Sequence, residues 1–344
     1  MNPNSQSARL LLVSAFLILT INCFSQQSPG LLLLALSKSD HTLSIVDPVT
    51  LKVLARVPVG EDPHEIIASP DGKRAYVAIY GGGSLYEINV IDLVERKPLP
   101  NIDTRPLFGP HDVTFVNGKV WFTAEGSKAI GRFDPATGKL DWSMGTGQDR
   151  THMIYVTPDA KNIYTTNVSS GTVSILSDTL IQPGQMAPPN AKPRHEWIQT
   201  VVPASRGAEG FDVLPNGSEL WTAASEDGTI TIVDLKRKKG DAKLDAKAMG
   251  ANRLKFTPDG KLAFISSLST GELYIYDTKT RSLVKKLKVG KGASGILMQP
   301  DGSRAFVACS PDNNIAIIDL KKLEVTGRLE VGSNPDGMAW AVKQ

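Results

Sequence analysis

The chain has 344 residues, 38 of them basic and 35 acidic, and its formal net charge of +3 gives no general drive toward nucleic acid. With 41% hydrophobic residues it is large enough to bury a substantial core as one domain. Its two cysteines, Cys23 and Cys309, are too few for a disulfide framework.

The first segment, MNPNSQSARLLLVSAFLILTINCFSQQ, places Arg9 ahead of an apolar run from Leu10 to Ile21 and the small residue Ser25. That pattern predicts a secretory signal peptide over 1–25, with an apolar run too short for a membrane span. The mature chain, 26–344, is then a soluble periplasmic or secreted protein forming a single domain. Cys23 offers a lipoprotein anchor as the alternative, although Asn22 is a poor residue to precede a lipidated cysteine. After cleavage only Cys309 remains, and in AFVACS it reads as a buried structural thiol.

From residue 31 onward one short phrase recurs six times: SPDG, VNG, TPD, LPNG, TPDG and QPDG, with Asp71, Asn117, Asp159, Asn216, Asp259 and Asp301 at the turn. The spacings are 46, 42, 57, 43 and 42 residues, a period typical of propeller blades. The unit from Gly250 to Gly290 reads as strand (NRLKFTP), turn (PDGK), strand (LAFISS), strand (LYIYD), turn (TKTRS) and strand (LVKKLKV). No stretch of the mature chain has helical periodicity, so the fold is all-β. Residues 31–60 supply three strands lacking an initial one, and SNPDGMAWAV at 333–342 supplies an initial strand alone. Joined, they make a seventh blade. The expectation is a seven-bladed β-propeller of four-stranded blades, closed by pairing the C-terminal strand with the N-terminal segment, which removes open sheet edges.

Two segments break the rhythm. QPGQMAPPNAKPRHEW brings a proline-rich insertion, about 182–194, between a third and a fourth strand; it is a candidate cover for one end of the propeller or a partner-binding loop. KRKKGDAKLDAK at 236–247 reads as a solvated loop on the outer rim.

SPDGKRAYVA at 69–78, TPDAKNIYTTN at 157–167 and QPDGSRAFVA at 299–308 resemble the repeat of the YVTN family of β-propellers, which includes the YncE-like proteins. The resemblance covers 31–344 and implies a secreted seven-bladed propeller, often without an assigned reaction. YncE-like relatives include a DNA-binding protein, but this chain lacks a comparable basic excess and that activity is not carried over.

Aligning the units on their turns places His64, His111, His152, Glu209, Asn252, Ser294 and Asp336 at one register, where each first strand opens. First strands line a propeller's central channel, so these seven form a ring at one mouth. Three imidazoles from consecutive units with a carboxylate next suit Zn, Cu or Fe, with Glu209 as fourth ligand or general base. The same ring also suits a polar pocket that holds no ion. Glu65 and Asp112, next to two of the histidines, are candidates to orient imidazoles or to face the neighbouring blade, and Arg105, Arg150, Arg206 and Arg253 lie near strand entrances. His41 reads as a hairpin residue; His195 reaches the channel only if the insertion folds over it. The five tryptophans read as packing between blades, and NVS at 167–169 matches a glycan acceptor.

Two function classes follow. One is a monomeric binding or scaffold propeller for a protein or small-molecule ligand. The other is a metal-dependent enzyme of the lyase, hydrolase or oxidase class, similar in architecture to propeller lyases of the virginiamycin B type. No CxxCH, Walker or Rossmann motif is present.

Overall fold

Seven antiparallel sheets of four strands each make the ring in the computed structural model, which describes residues 30–188 and 190–344. The signal-peptide reading and Cys23 lie outside the described residues. One sheet joins Pro335–Val342 to Leu31–Ser37, Thr42–Asp47 and Lys52–Pro58, and the pairing of Leu31 with Val342 closes the circle.

The recurring turn has a specific cause. The Asp71 carboxylate accepts hydrogen bonds from the Lys73 N–H and the Ser69 hydroxyl, and Asp159 and Asp259 do the same with Lys161 and Thr157, and Lys261 and Thr257. A short acceptor side chain thereby replaces a backbone partner within the turn. Asn117–Gly118 is different: both residues have positive φ, 52° and 76°, and Val116 pairs directly with Lys119 in a two-residue hairpin.

The first three strands of each blade are mostly buried, whereas the fourth alternates, as in Ser282–Lys288. The core lies between blades: Leu34, Leu36 and Ile45 of one sheet pack with Val77, Ile79 and Ile91 of the next. Trp121 and Trp221 are buried in second strands; Trp121 meets Trp142 edge to face within one blade, and Trp142 meets Trp197 of the neighbouring blade at a tilt. Cys309 is fully buried, and burial pushes its thiol up.

The basic run departs from its sequence reading. Lys239–Asp245 is the fourth strand of its blade, and only 236–238 form the turn. An outermost strand exposed on its rim carries the same polar composition as a loop. The insertion lengthens the hairpin around it, with strands Thr172–Ile181 and Arg194–Pro203. It follows a third strand, so it projects from the end of the ring opposite the His64 register. There His195 pairs with Asp178 at 2.8 Å, away from the channel. Asn167 is completely buried, which removes it as a glycan acceptor.

Every inner strand carries a β-bulge at one place. Between Pro63 and Ile66 three steps oppose two on the partner strand, and the same occurs at Pro110–Val113, Thr151–Ile154, Ala208–Phe211, Ala251–Leu254, Ala293–Ile296 and Pro335–Met338. A bulge re-aims side chains, and here the re-aimed residues are the second and third of each inner strand. The third is glycine in three blades. A Cβ on Gly337 would lie 2.2 Å from the His64 carbonyl oxygen, and one on Gly295 2.2 Å from that of Asp336. Gly337→Ala is therefore expected to wedge two inner strands apart and cost about 1–3 kcal/mol, read as a lower urea midpoint.

Candidate functional site at the channel mouth

The second residues of the seven inner strands are His64, His111, His152, Glu209, Asn252, Ser294 and Asp336, and all seven line one cavity of about 470 Å³. Lys38 and Tyr80, each following a second strand, join them, together with Arg150 and Arg253. Of the third residues, Glu65 and Arg253 meet across the ring. Arg253 donates through Nε (3.0 Å) and Nη2 to Glu65 Oε1 of another blade; the Arg253 side chain is buried and that of Glu65 mostly covered. Although burial opposes its charge, the carboxylates of Glu65, Asp336 and Glu209 hold the Arg253 guanidinium firmly protonated.

Glu125 organises one side of the mouth. It accepts from Arg150 Nε at 2.8 Å, from the Tyr80 hydroxyl, and from His152 Nδ1 at 3.1 Å. Burial pushes its carboxyl up, but the His152, Tyr80 and Arg150 contacts outweigh it and bring the pKa down to about 2. Because Glu125 is ionised, His152 donates to it from Nδ1, and in the neutral ring that arrangement leaves a lone pair on Nε2. Burial and the Glu125 carboxylate push the Tyr80 phenol above its ordinary range, so it remains a donor.

On the other side His64 has both nitrogens engaged: Nε2 is 3.1 Å from Asp62 Oδ1, and Nδ1 is 3.4 Å from the Lys38 ammonium. Lys38 also reaches Asp336 Oδ2 at 3.1 Å. The His64 contact holds the Asp62 carboxyl well below its usual range. Despite burial, Lys38 and Arg253 keep Asp336 below its range as well. His111 lies between its neighbours, its ring centroid 3.8 Å from that of His152 and 4.6 Å from that of His64. Burial pushes its pKa well down and keeps it neutral.

The network leaves atoms over. Eight buried side-chain polar atoms lack a partner among the described residues, and four belong to this ring: His111 Nδ1, His152 Nε2, Asn252 Oδ1 and Asp336 Oδ1. Such an atom costs about 1–3 kcal/mol when nothing pairs with it. Among the described residues no group of three or more His, Cys, Asp or Glu is arranged to hold a metal ion. His111 and His152 together, or His152 as an oriented base, are the ring's chemically free imidazoles.

Glu65 and Asp112 orient no imidazole. Asp112 accepts from the Val113 and Ile154 N–H groups, and burial with the nearby Glu65 charge pushes it up to about 7. The carboxylates that do orient histidines are Glu125 and Asp62. Of the four arginines, Arg150 and Arg253 line the cavity, whereas Arg105 and Arg206 pair with Asp103 and Glu226 on the surface.

No family model and no curated protein matches the sequence. Solved structures match the fold. A putative 6-phosphogluconolactonase from Bacteroides uniformis has a TM-score of 0.72 at 17% identity, covering 91% of this chain and 100% of its own. Another from Bacteroides fragilis has 0.71 at 16%, covering 92% and 99%. A functionally unknown protein from Desulfotomaculum acetoxidans has 0.71 at 12%, covering 91% and 99%. At these identities the likeness is one of architecture, the seven-bladed propeller, and it leaves the chemistry of each mouth to its own residues.

Proposed function

We propose that this chain is an exported propeller of the YVTN-repeat, YncE-like kind that binds a small polar molecule in its channel mouth. The observation that carries the reading is the gathering of unpaired buried polar atoms in one cavity whose volume suits a small organic ligand. Tyr80, Leu268 and Pro311 supply apolar wall beside the polar ring, so the ligand combines hydrogen-bonding groups with an apolar part. A thermal-shift screen with erythritol, succinate and n-butylammonium tests it. At least one probe is expected to raise the melting temperature of the wild type and to lose that effect in His152→Leu; no shift with any of them would count against the mouth. Export predicts that the protein recovered from the periplasm or medium begins near Gln26, checked by N-terminal sequencing.

A second reading is a transition metal, Cu, Zn or Fe, on His111 and His152. The Glu125 contact to His152 favours it, since a carboxylate behind an imidazole is a common support for a metal ligand. In the enzyme version Glu209 serves as general base, although its Oε2 is 2.7 Å from the Asn252 amide nitrogen and would have to give up that contact. Elemental analysis of protein purified without a metal-affinity tag, beside a His111→Ala, His152→Ala variant, decides it: near-stoichiometric metal lost in the variant supports the reading, and metal-free wild type removes it.

A further inference from the structure

We propose that two copies of this chain associate edge to edge through the outer strand Arg194–Pro203, in place of the monomer expected from the sequence. That strand has ten residues, while the fourth strand of every other blade has six or seven. The other six share a second feature that it lacks. Each makes a β-bulge against its third strand: Leu54, Asp141, Asp241, Val284 and Thr326 stand opposite no partner residue, and 99–102 takes three steps where 88–90 takes two. Arg194–Pro203 instead pairs with Thr172–Ile181 in unbroken register along its whole length. A bulge twists an edge away from foreign strands, so six blades are blunted and this one is not.

Composition sharpens the contrast. The other outer strands each carry a charge or a proline within them: Arg56, Pro100, Asp141, Asp241, Lys285 and Arg328. Residues 197–202, WIQTVV, have neither, and all but Gln199 are β-branched or aromatic. Ile198 and Val201 are each 41% exposed. Pro203, with no N–H to offer, ends the edge on one side.

The free backbone groups fix the partner. The Ala204 N–H donates to the Gly171 carbonyl, and in an unbroken register this turns the backbone groups of Glu196, Ile198, Thr200 and Val202 toward the third strand. Those of His195, Trp197, Gln199 and Val201 point outward, and no strand among the described residues pairs with them. An antiparallel copy related by a two-fold axis at Ile198 sets His195 against Val201 and Trp197 against Gln199, and each such pair exchanges two hydrogen bonds. Every outward donor and acceptor from 195 to 201 is then used on both strands. Ile198 meets Ile198 of the second copy in a non-hydrogen-bonded pair, where side chains lie closest, and its exposed surface is covered. Two four-stranded blades become one continuous sheet. Because the axis is two-fold, the assembly closes as a dimer and does not grow.

The test is sedimentation equilibrium of the full chain over a range of concentrations, where the wild type is expected to be a dimer. Val201→Pro removes an outward donor and no hydrogen bond of the blade itself, so it is expected to weaken the dimer about tenfold or more. Ile198→Lys sets two ammonium groups against each other on the axis and is expected to do the same, less strongly as salt rises. Melting temperatures show that each variant is folded; should Val201→Pro not fold, Ile198→Lys, at a partly exposed side chain, carries the test. Oxidised Ile198→Cys is expected to give a disulfide-linked dimer, whereas Thr200→Cys, opposite Glu196 of the second copy, is not, and Cys309 is buried out of reach. A wild type that stays monomeric at every concentration overturns the proposal, as does a dimer that either folded variant leaves intact. Linking of Thr200→Cys in preference to Ile198→Cys overturns the two-fold register.

Discussion

Glu65→Ala is expected to destabilise the propeller by about 3–5 kcal/mol, because it strips the partner from a buried guanidinium and leaves that charge in the channel floor. Burial alone would favour a neutral group at Arg253, yet no arginine gives up its proton, so the cost falls on the fold. The double variant Glu65→Ala, Arg253→Met is expected to recover most of the loss, since an apolar pair of similar bulk needs no counter-charge. Urea unfolding of the wild type, both single variants and the double variant measures the coupling. Equal midpoints for the single and double variants would sink the idea that the ion pair, and not its packing, is what the floor depends on.

Glu125→Ala is the second large effect, of similar size, about 3–5 kcal/mol, since three donors converge on that one buried carboxylate. It is reduced somewhat by Arg150, which is partly exposed and can turn to water. The pH dependence separates this effect from simple loss of packing. Glu125 has its pKa lowered from 4.5 to about 2 in the folded chain, so its contribution is complete above 4.5 and is lost as pH falls toward about 2. The wild type is expected to lose stability across that acid window faster than Glu125→Ala does. Parallel curves of melting temperature against pH would contradict the assignment. The same variant frees the His152 ring by removing its Nδ1 partner.

How far the sequence carries depends on which strand is asked. The seven ring residues were legible because every unit has the same inner strand and the same bulge, so aligning turns aligns side chains. Their support was not legible. Lys38, Tyr80 and Glu125 each follow a second strand, but the other units place Val168, Ser225, Leu268 and Ser310 there, with no shared chemistry to mark the position. Glu65 and Arg253 lie 188 residues apart and meet only because the ring brings opposite walls of a narrow channel together. Asp62 acquires its role from a positive-φ bend, φ 54°, that sets its carboxylate against His64. The basic run at 236–247 was misplaced because hydration alone does not separate an outermost strand from a turn.

The pairing of Pro335–Val342 with Leu31–Ser37 also fixes an order in time. A chain made from its N-terminus presents the strands at 31–58 first, yet their sheet lacks its innermost member until 335–342 emerges. Asp336 arrives with that strand. Six ring positions can be in place while Lys38 still lacks the partner that holds it across the mouth. The cavity at the mouth is thus complete only once 335–342 has joined the ring, and a chain short of that strand displays no closed circle.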